Sequence, residues 1–489
     1  MESLEQYFQQ FRNNIIGVDQ TFKSPYGEQK LIYTDWTASG RMYRPIEEKL
    51  MNDFGPFIAN THTETSISGA AMTLAYHKAR DIIKNHVNAS ENDVLITEGS
   101  GMTGVVNKFQ RILGLKVLEN LKEFTHVPEE MKPIVFVSHM EHHSNQTSWL
   151  ETIADVEVIP CNEEGLVCVN TFEKVIKKHQ HRKLKIASIT ACSNVTGIKT
   201  AYHEIATLIH KYNGLCFVDF ACSAPYVDID MHPKDKDAYL DAIFFSPHKF
   251  LGGPGASGVL IFNKKLYKNL VPDNPGGGTV LFTDPWGNHD YINDIEIRED
   301  GGTPAFIQTI KVALSIQLKE KIGTVNIRKR EDEINAVLFE TLDAIPNVHV
   351  LAGRHKKRLG IFSFYIENVH YNLIVKLLND RFGIQTRGGC SCAGTYGHFL
   401  LNIDKQESSS LEKKLREGCA FDKPGWVRLS IHPTITNAEI SFICESLKAV
   451  CANIDEWSKD YVYDAIKNDY LHASVKSIEA ELVASWFAN

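Results

Sequence analysis

The sequence predicts an α/β protein whose main domain contains a mainly parallel, seven-stranded sheet. Seven short apolar runs recur between residues 93 and 262, and stretches with helical periodicity separate them. Apolar strands that alternate with helices are typical of doubly wound sheets, in which helices cover both faces. The runs lie at residues 94–96, 134–137, 157–159, 186–189, 215–218, 243–245 and 258–262.

The rest of the chain is predicted to form an N-terminal arm and a smaller C-terminal domain. Residues 1–30 have apolar side chains at helical spacing before a turn at 24–27. The large domain then covers residues 31–304 and a small α/β domain covers residues 305–489, the division falling in a helix after Pro304. The small domain is predicted to contain strands at 348–351, 360–366, 384–386 and 426–431, a charged insertion at 403–417 and terminal helices from 436 onward. With 489 residues, 43% of them apolar, the chain is long enough to bury both cores.

Composition excludes several classes of partner. The net charge is −8 and the basic residues are scattered, so the chain lacks the positive surface that nucleic-acid binding requires. No apolar segment is long enough to cross a bilayer, and the acidic start of the chain does not resemble a signal peptide. The ten cysteines are then expected to be reduced thiols, which predicts a cytoplasmic protein.

A lysine and an aspartate follow two of the predicted strands. Lys249 stands after the run at 243–245 and before a glycine-rich turn, and Asp219 ends the run at 215–218. Parallel strands deliver their ends to one edge of a sheet, where α/β enzymes bind ligands. A lysine held out of bulk water attacks an aldehyde as the free base, and an aspartate there keeps a pyridine nitrogen protonated. The pair predicts a pyridoxal phosphate site, although a solvated surface lysine remains the alternative.

Three motifs give the chain a family resemblance. They are Val-Asp-Phe-Ala at 218–221, Phe-Ser-Pro-His-Lys at 245–249 and Arg-Gly-Gly-Cys-Ser-Cys-Ala at 387–393. They resemble the signatures of class V aminotransferase-fold enzymes, specifically the cysteine desulfurase and selenocysteine lyase branch. The likeness extends from residue 33 to residue 435. It implies a fold type I pyridoxal-phosphate-dependent transferase that is active as a homodimer.

The resemblance also implies a set of cofactor contacts around Lys249 and Asp219. His142 is expected to lie flat on the pyridine ring, and Asn194 to lie near the phenolic oxygen and the substrate carboxylate. Cys222 stands where desulfurases usually carry glutamine, and a thiol is a weaker hydrogen-bond donor. The implied phosphate contacts are Gly101, Met102, Thr103, Ser246 and His248, with Thr303 reaching the phosphate in the partner subunit.

Several of these residues also have structural explanations. Glycine-rich turns between strand and helix, such as residues 98–104, are common for packing reasons. Thr303 would serve equally as the N-cap of a helix that begins at Pro304. The histidines at 139–143 would suit a polar loop, and no metal site is predicted because no second pair of ligands at zinc spacing accompanies them.

The predicted reactive group is a cysteine in the third motif. By resemblance, Cys392 is the thiol that attacks the substrate sulfur, and the alternative is a buried structural thiol. Cys390 is left open between a resolving thiol, a persulfide relay and no chemical role. Arg428 is expected to hold the substrate α-carboxylate in a bidentate manner, and a structural salt bridge is the competing account.

The sequence therefore predicts a pyridoxal-phosphate-dependent cysteine desulfurase-like enzyme. By resemblance, Lys249 removes the α-proton of L-cysteine and Cys392 keeps the sulfur as a persulfide, which leaves L-alanine and calls for a sulfur-acceptor protein. One alternative is a class V aminotransferase, epimerase or C–S lyase acting on another amino compound. The departures at Cys222 and Cys390, and the longer stretch before Arg428, favour keeping it. A non-catalytic sulfur carrier or scaffold is the remaining alternative.

Overall fold

The computed structural model describes residues 3–61, 63–474 and 478–488, and these residues form two compact units. The larger unit comprises residues 38–193 and 199–324, and the smaller unit comprises residues 1–37, 194–198 and 325–489. This grouping differs from the division expected after Pro304. The helix Phe306–Ile322 belongs to the larger unit because it packs against the helix Ile67–His86. The N-terminal residues belong to the smaller unit because strand Ile32–Tyr33 pairs with Ile384–Gln385.

Seven strands of the described larger unit form one sheet. They are β1 (Asp93–Glu98), β2 (Ile134–Ser138), β3 (Asp155–Ile159), β4 (Lys185–Thr190), β5 (Leu215–Asp219), β6 (Ala242–Phe245) and β7 (Gly258–Asn263). Their order is β1-β7-β6-β5-β4-β2-β3. Strands β2 to β6 pair with one another in parallel, and β7 runs antiparallel to both β1 and β6. The sheet is thus the mainly parallel, seven-stranded sheet that the sequence predicts.

Alternate residues of these strands enter two separate apolar cores. Phe136, Val218 and Phe245 belong to one core, whereas Phe217 and Phe244 belong to the other. Both faces are therefore covered, which explains why the strands read as continuous apolar runs. Burying each large side chain contributes about 1.5–3 kcal/mol to the stability of the fold. The packed cores therefore hold the ends of the strands in place at the edge of the sheet.

The other elements of the larger unit are mostly helices. The α-helices are Arg44–Lys49, Ile67–His86, Met102–Ile112, His143–Leu150, Val169–Ile176, Tyr202–Lys211, Ile295–Arg298 and Phe306–Ile322. Short helical turns occupy Leu50–Phe54, Gly55–Phe57, Glu119–Phe124, Glu129–Met131, Lys177–His179, Pro247–Lys249 and Lys264–Leu266. A hairpin pairs Val280–Thr283 with His289–Tyr291.

The smaller unit contains a four-stranded antiparallel sheet. Its strands are β8 (Val348–Val350), β9 (Ile361–Ile366), β10 (Arg387–Gly389) and β11 (Trp426–Ser430), in the order β8-β9-β11-β10. The helices of this region are Leu4–Arg12, Thr324–Ala344, Tyr371–Phe382, Gly394–Leu400, Lys405–Arg416, Asn437–Trp457, Ser458–Asp460 and Ile478–Trp486. Two hairpins pair Thr21–Ser24 with Gly27–Lys30 and Tyr461–Asp464 with Asp469–His472.

The structure corrects one helix boundary. The helix after Thr303 begins at Phe306, and its N-cap is Ala305, which offers no capping side chain. The N–H of Phe306 donates to the carbonyl of Pro304 at 2.8 Å, and Ala305 has φ −75° and ψ 57°. Because this γ-turn separates Thr303 from the helix, Thr303 is not its N-cap.

None of the helices within the described ranges is long and apolar enough to cross a bilayer. The same residues contain no cluster of three or more His, Cys, Asp or Glu side chains that suits a metal ion.

Candidate active site

Asp219 and Lys249 lie at the carboxyl edge of the large sheet. Asp219 is the last residue of β5, and Lys249 ends the short helical turn after β6. The Asp219 side chain is only 3% exposed, and burial raises its pKa to about 6. The N–H of Ala221, which donates to the carboxyl group at 2.7 Å, and the charge of Lys249 both lower that pKa. The lysine and the aspartate are therefore within electrostatic reach of each other, as the strand order requires.

An N-terminal helix turn lies beside this pair. The helix Met102–Ile112 begins after Gly101, and the N–H of Met102 donates to Oγ of Ser246 at 2.9 Å. A Cβ atom added to Gly101 would lie 3.4 Å from Oγ of Ser246 and 3.7 Å from the ring of His248. The absence of a side chain at Gly101 thus keeps a space open beside a hydroxyl, an imidazole and the first helix amides. Such a set of donors suits a phosphate group.

His248 is held as a neutral imidazole in this turn. Burial, followed by the nearby charge of Lys249, lowers its pKa to about 4. A neutral ring keeps one N–H for donation and adds no charge. The hydroxyl group of Thr103 lies 2.7 Å from that of Ser144, which extends the polar side of the turn.

His142 is tied to the same turn through Ser144. His142 caps the helix His143–Leu150, and its Nδ1 accepts the N–H of Ser144 at 3.1 Å. This bond fixes the ring orientation, because rotation of the side chain would break the cap. His139, earlier in the loop, donates from Nε2 to the carbonyl of Gly165 at 3.1 Å. That contact gives His139 a structural role in the loop.

Two further residues of the predicted set differ in their burial. Cys222 is buried three residues after Asp219, where its thiol is a weak donor. Thr303 is exposed, and its side chain makes no hydrogen bond with any other described residue. The sequence placed Thr303 at the partner subunit's phosphate, and a residue in that role would face outward from its own chain.

The cysteine loop in the smaller unit has an unusual backbone. Ser391 and Cys392 have φ values of 52° and 56°, and the N–H of Ala393 donates to the carbonyl of Cys390 at 3.0 Å. Two consecutive left-handed residues define a type I′ turn, which glycine and asparagine normally occupy. Each such residue costs about 1–3 kcal/mol and commonly marks a functional site. The turn leaves Cys392 exposed and Cys390 half-buried.

The side chain of Asn194 makes a hydrogen bond to the backbone of this turn. Its Nδ2 donates to the carbonyl of Ser391 at 2.8 Å, and its own Oδ1 is buried without a partner among the described residues. The structure thus joins the asparagine to the cysteine loop, a contact that the sequence did not predict.

Arg428 forms the salt bridge that the sequence offered as a competing account. It is 3% exposed, and its Nη2 contacts Oδ1 of Asp35 at 2.7 Å. The other carboxylate oxygen of Asp35 accepts from Nε of Arg387 at 2.9 Å. Two guanidinium groups share one carboxylate, so the cluster keeps a net positive charge. It therefore remains suited to a carboxylate ligand.

Asp35 and Glu141 are the site residues that the sequence analysis missed. Asp35 follows the strand Ile32–Tyr33, and a carboxylate at a strand end was the available signal. Its pairing with Arg428, far away in the sequence, was not readable. Glu141 precedes His142, is fully buried and carries a pKa that burial raises to about 8.

Sequence comparison identifies the family. The class-V aminotransferase family matches residues 32–443, and the chain therefore belongs to this family. A probable cysteine desulfurase of Halalkalibacterium halodurans is 28% identical over 368 residues, which cover 74% of this chain and 84% of the relative. One of Staphylococcus aureus is 26% identical over 370 residues, which cover 75% of this chain and 84% of the relative.

Solved structures agree on the fold. The cysteine desulfurase of Thermococcus onnurineus superposes with a TM-score of 0.71 at 22% identity, covering 91% of this chain and 98% of its own. A cysteine desulfurase of Escherichia coli gives 0.70 at 20% identity with the same coverage. The predicted family and the predicted fold type I architecture are thus confirmed.

Proposed function

We propose that this protein is a pyridoxal-phosphate-dependent cysteine desulfurase that takes sulfur from L-cysteine and leaves L-alanine. The observation that carries the proposal is the exposed thiol of Cys392 on a strained turn, in a chain with a buried Asp219 within electrostatic reach of Lys249. The names of the relatives support the same activity. L-cysteine as substrate, a homodimer, a sulfur-acceptor protein and a cytoplasmic location are parts of this proposal.

The residues at the edge of the large sheet fit the cofactor. The amides and hydroxyls around Gly101, Met102, Thr103 and Ser246 suit the phosphate, and Gly101 adds no side chain beside them. When bound, pyridoxal phosphate supplies an electron sink for the substrate α-carbon. Asp219 would hold the proton of the pyridine nitrogen, since a buried carboxylate stabilises a buried cation.

Three groups then perform the reaction. The amine of Lys249 takes the α-proton of the substrate as general base. The thiolate of Cys392 attacks the substrate sulfur, so an S–S bond forms while the C–S bond breaks. The sulfur remains on Cys392 as a persulfide, and the electron pair of the broken C–S bond stays with the β-carbon, which takes up a proton. Return of a proton from the Lys249 amine to the α-carbon then gives alanine. The positive cluster of Arg428, Arg387 and Asp35 would bind the substrate carboxylate.

A matched pair of variants tests the nucleophile. We expect Cys392→Ala to abolish alanine formation from L-cysteine while the protein still binds pyridoxal phosphate, because only the sulfur-accepting group is lost. Cys390→Ala, two residues away on the same turn, should keep most of the activity. Alanine and sulfide are quantified after L-cysteine is added to each holoenzyme.

Equal rates for Cys392→Ala and the wild-type protein would disprove the mechanism. If the wild-type protein binds the cofactor but forms no alanine, the C–S lyase, epimerase or aminotransferase alternative gains support. Formation of pyridoxamine phosphate after an amino donor is added identifies aminotransfer. Failure of the wild-type protein to bind the cofactor would favour the scaffold alternative.

A further inference from the structure

A buried carboxyl group joins three elements beside the proposed cofactor site. Glu141 lies between β2 and the helix His143–Leu150, and its side chain has no exposed surface. Oε1 accepts from the N–H of Thr190 at 2.8 Å, from the N–H of Ser138 at 3.2 Å and from the Ser138 hydroxyl at 2.6 Å. Oε2 accepts from Nδ2 of Asn145 at 2.7 Å. The ends of β2 and β4 and the start of the helix therefore converge on one side chain.

The direction of these hydrogen bonds is fixed by a tryptophan. The indole N–H of Trp149 can only donate, and it is shared between Oγ of Ser188 at 3.0 Å and Oδ1 of Asn145 at 3.2 Å. The hydroxyl of Ser188 donates to the same Oδ1 of Asn145 at 2.6 Å. Asn145 must therefore present its NH₂ group to Glu141. Since backbone N–H groups face the other oxygen, both oxygens of Glu141 accept hydrogen bonds, and these bonds favour the ionised form against the burial that raises the pKa of the group to about 8.

The positions of His142 and Asp219, the two proposed contacts of the pyridine ring, both depend on the backbone that Glu141 binds. His142 is the next residue in the chain, so the backbone that Glu141 fixes is also the backbone that carries the imidazole. Thr190, which Glu141 binds on β4, lies opposite Asp219 in the register of β4 and β5. The N–H of Ala191 further donates to the carbonyl of Asp219 at 2.8 Å.

We propose that Glu141 is a positioning residue that sets the orientation of His142 and Asp219 toward the pyridine ring. The inference rests on the proposed cofactor site and adds a residue to it. An isosteric glutamine cannot replace Glu141, because its NH₂ group would face either the amide of Asn145 or the backbone donors of Ser138 and Thr190. The loop would then shift, and the orientations of His142 and Asp219 toward the pyridine ring would change.

The test measures how pyridoxal phosphate binds to Glu141→Gln. We expect the dissociation constant to rise about tenfold or more, and the visible circular dichroism per bound cofactor to change, because ellipticity reports the orientation of the ring. A loss of general stability alone would leave the ellipticity at saturation unchanged. Glu157→Gln is the matched control, since Glu157 lies on β3 and contacts His179 instead.

The outcomes separate this inference from the proposed function. If Glu141→Gln at saturation shows the wild-type affinity and ellipticity, the positioning role is refuted while the cofactor site stands. If the wild-type protein itself binds no pyridoxal phosphate, both are refuted. Should Glu141→Gln fail to fold, Ser138→Ala decides, because it removes one donor and keeps the carboxylate. A smaller change in the same two quantities supports the role, and unchanged values refute it.

Discussion

Burial makes the charged form of Asp219 less favourable than it is in water. Burial at the end of β5 raises its pKa from 3.8 to about 6, although the N–H of Ala221 and the charge of Lys249 oppose the shift. A pyridinium proton would reverse this preference, because it supplies a positive partner for the carboxylate. The apoprotein therefore has a carboxyl group whose charge is unfavourable until the ring arrives.

This shift predicts how the stability of the apoprotein depends on pH. A carboxyl group with a raised folded pKa contributes fully to stability below the unfolded pKa, and its contribution is lost as the pH rises through the folded pKa. Between pH 4 and pH 6 we expect the wild-type apoprotein to lose about 2 kcal/mol relative to Asp219→Asn. Urea unfolding of both proteins at several pH values measures the difference. A difference that does not vary with pH would contradict the assignment.

Residue types alone could indicate the cofactor site, but they could not indicate the residues that position its side chains. Lys249 and Asp219 could be predicted because each follows a recognisable apolar strand. Glu141 was not, since a glutamate inside a histidine-rich loop resembles a solvated polar residue. Asp35 and Arg428 lie in segments whose pairing depends on tertiary contacts, and no local pattern encodes that pairing.

Among the secondary-structure elements, the helix end at Gly383 combines a left-handed backbone with a lack of room for any side chain. It ends the helix Tyr371–Phe382 in the left-handed conformation, with φ 69°, and leads directly into the strand Ile384–Gln385. A Cβ atom there would lie 1.9 Å from the carbonyl oxygen of Lys30. The helix end and the neighbouring hairpin approach so closely that only glycine fits.

Two glycine variants separate this close approach from backbone strain. We expect Gly383→Ala to lower the free energy of unfolding by about 3 kcal/mol or more, because strain and overlap with a backbone atom add together. Gly418 ends another helix with φ 83° and has no atom within 4 Å of its added Cβ. Gly418→Ala should therefore cost only about 1 kcal/mol. Denaturant unfolding compares them, and equal losses would contradict the close packing at Gly383.

Short elements account for the main errors in secondary structure. The terminal region was expected to be helical, but residues 461–472 form a hairpin whose strands have four residues each. Tyr461 packs into the core of the smaller unit while Val462 faces solvent, and so short an alternation is masked by the flanking helices. The large sheet was predictable because its strands are buried on both faces. Weakly amphipathic hairpins lack that signal.

At the scale of the whole molecule, a proposed homodimer needs an apolar surface. The hairpin of the larger unit exposes Leu281 (76%), Phe282 and Trp286 (84%). Exposed apolar groups of this size are typical of protein interfaces. This hairpin is therefore the first candidate for the dimer contact.

Mutation of the hairpin tests self-association. We expect Leu281→Ser combined with Trp286→Ser to weaken dimerisation by about tenfold or more, since aromatic anchors dominate interface energies. Ile466→Ser is the control, because Ile466 is 98% exposed at the turn of the smaller unit's hairpin. Sedimentation velocity over a concentration series measures both. A wild-type monomer, or a double variant that associates normally, would reject the assignment.

The chain passes between its two units at residues 37–38, 193–194, 198–199 and 324–325. During translation, all residues of the larger unit have been synthesised once residue 324 has been added to the chain. The strand Ile32–Tyr33 must still wait for residues 384–385, with which it pairs. A chain that is truncated before residue 384 therefore keeps the strand Ile32–Tyr33 unpaired near its N-terminus. Such edges join other chains, so premature termination near residue 324 should produce aggregates nucleated by a segment far from the break.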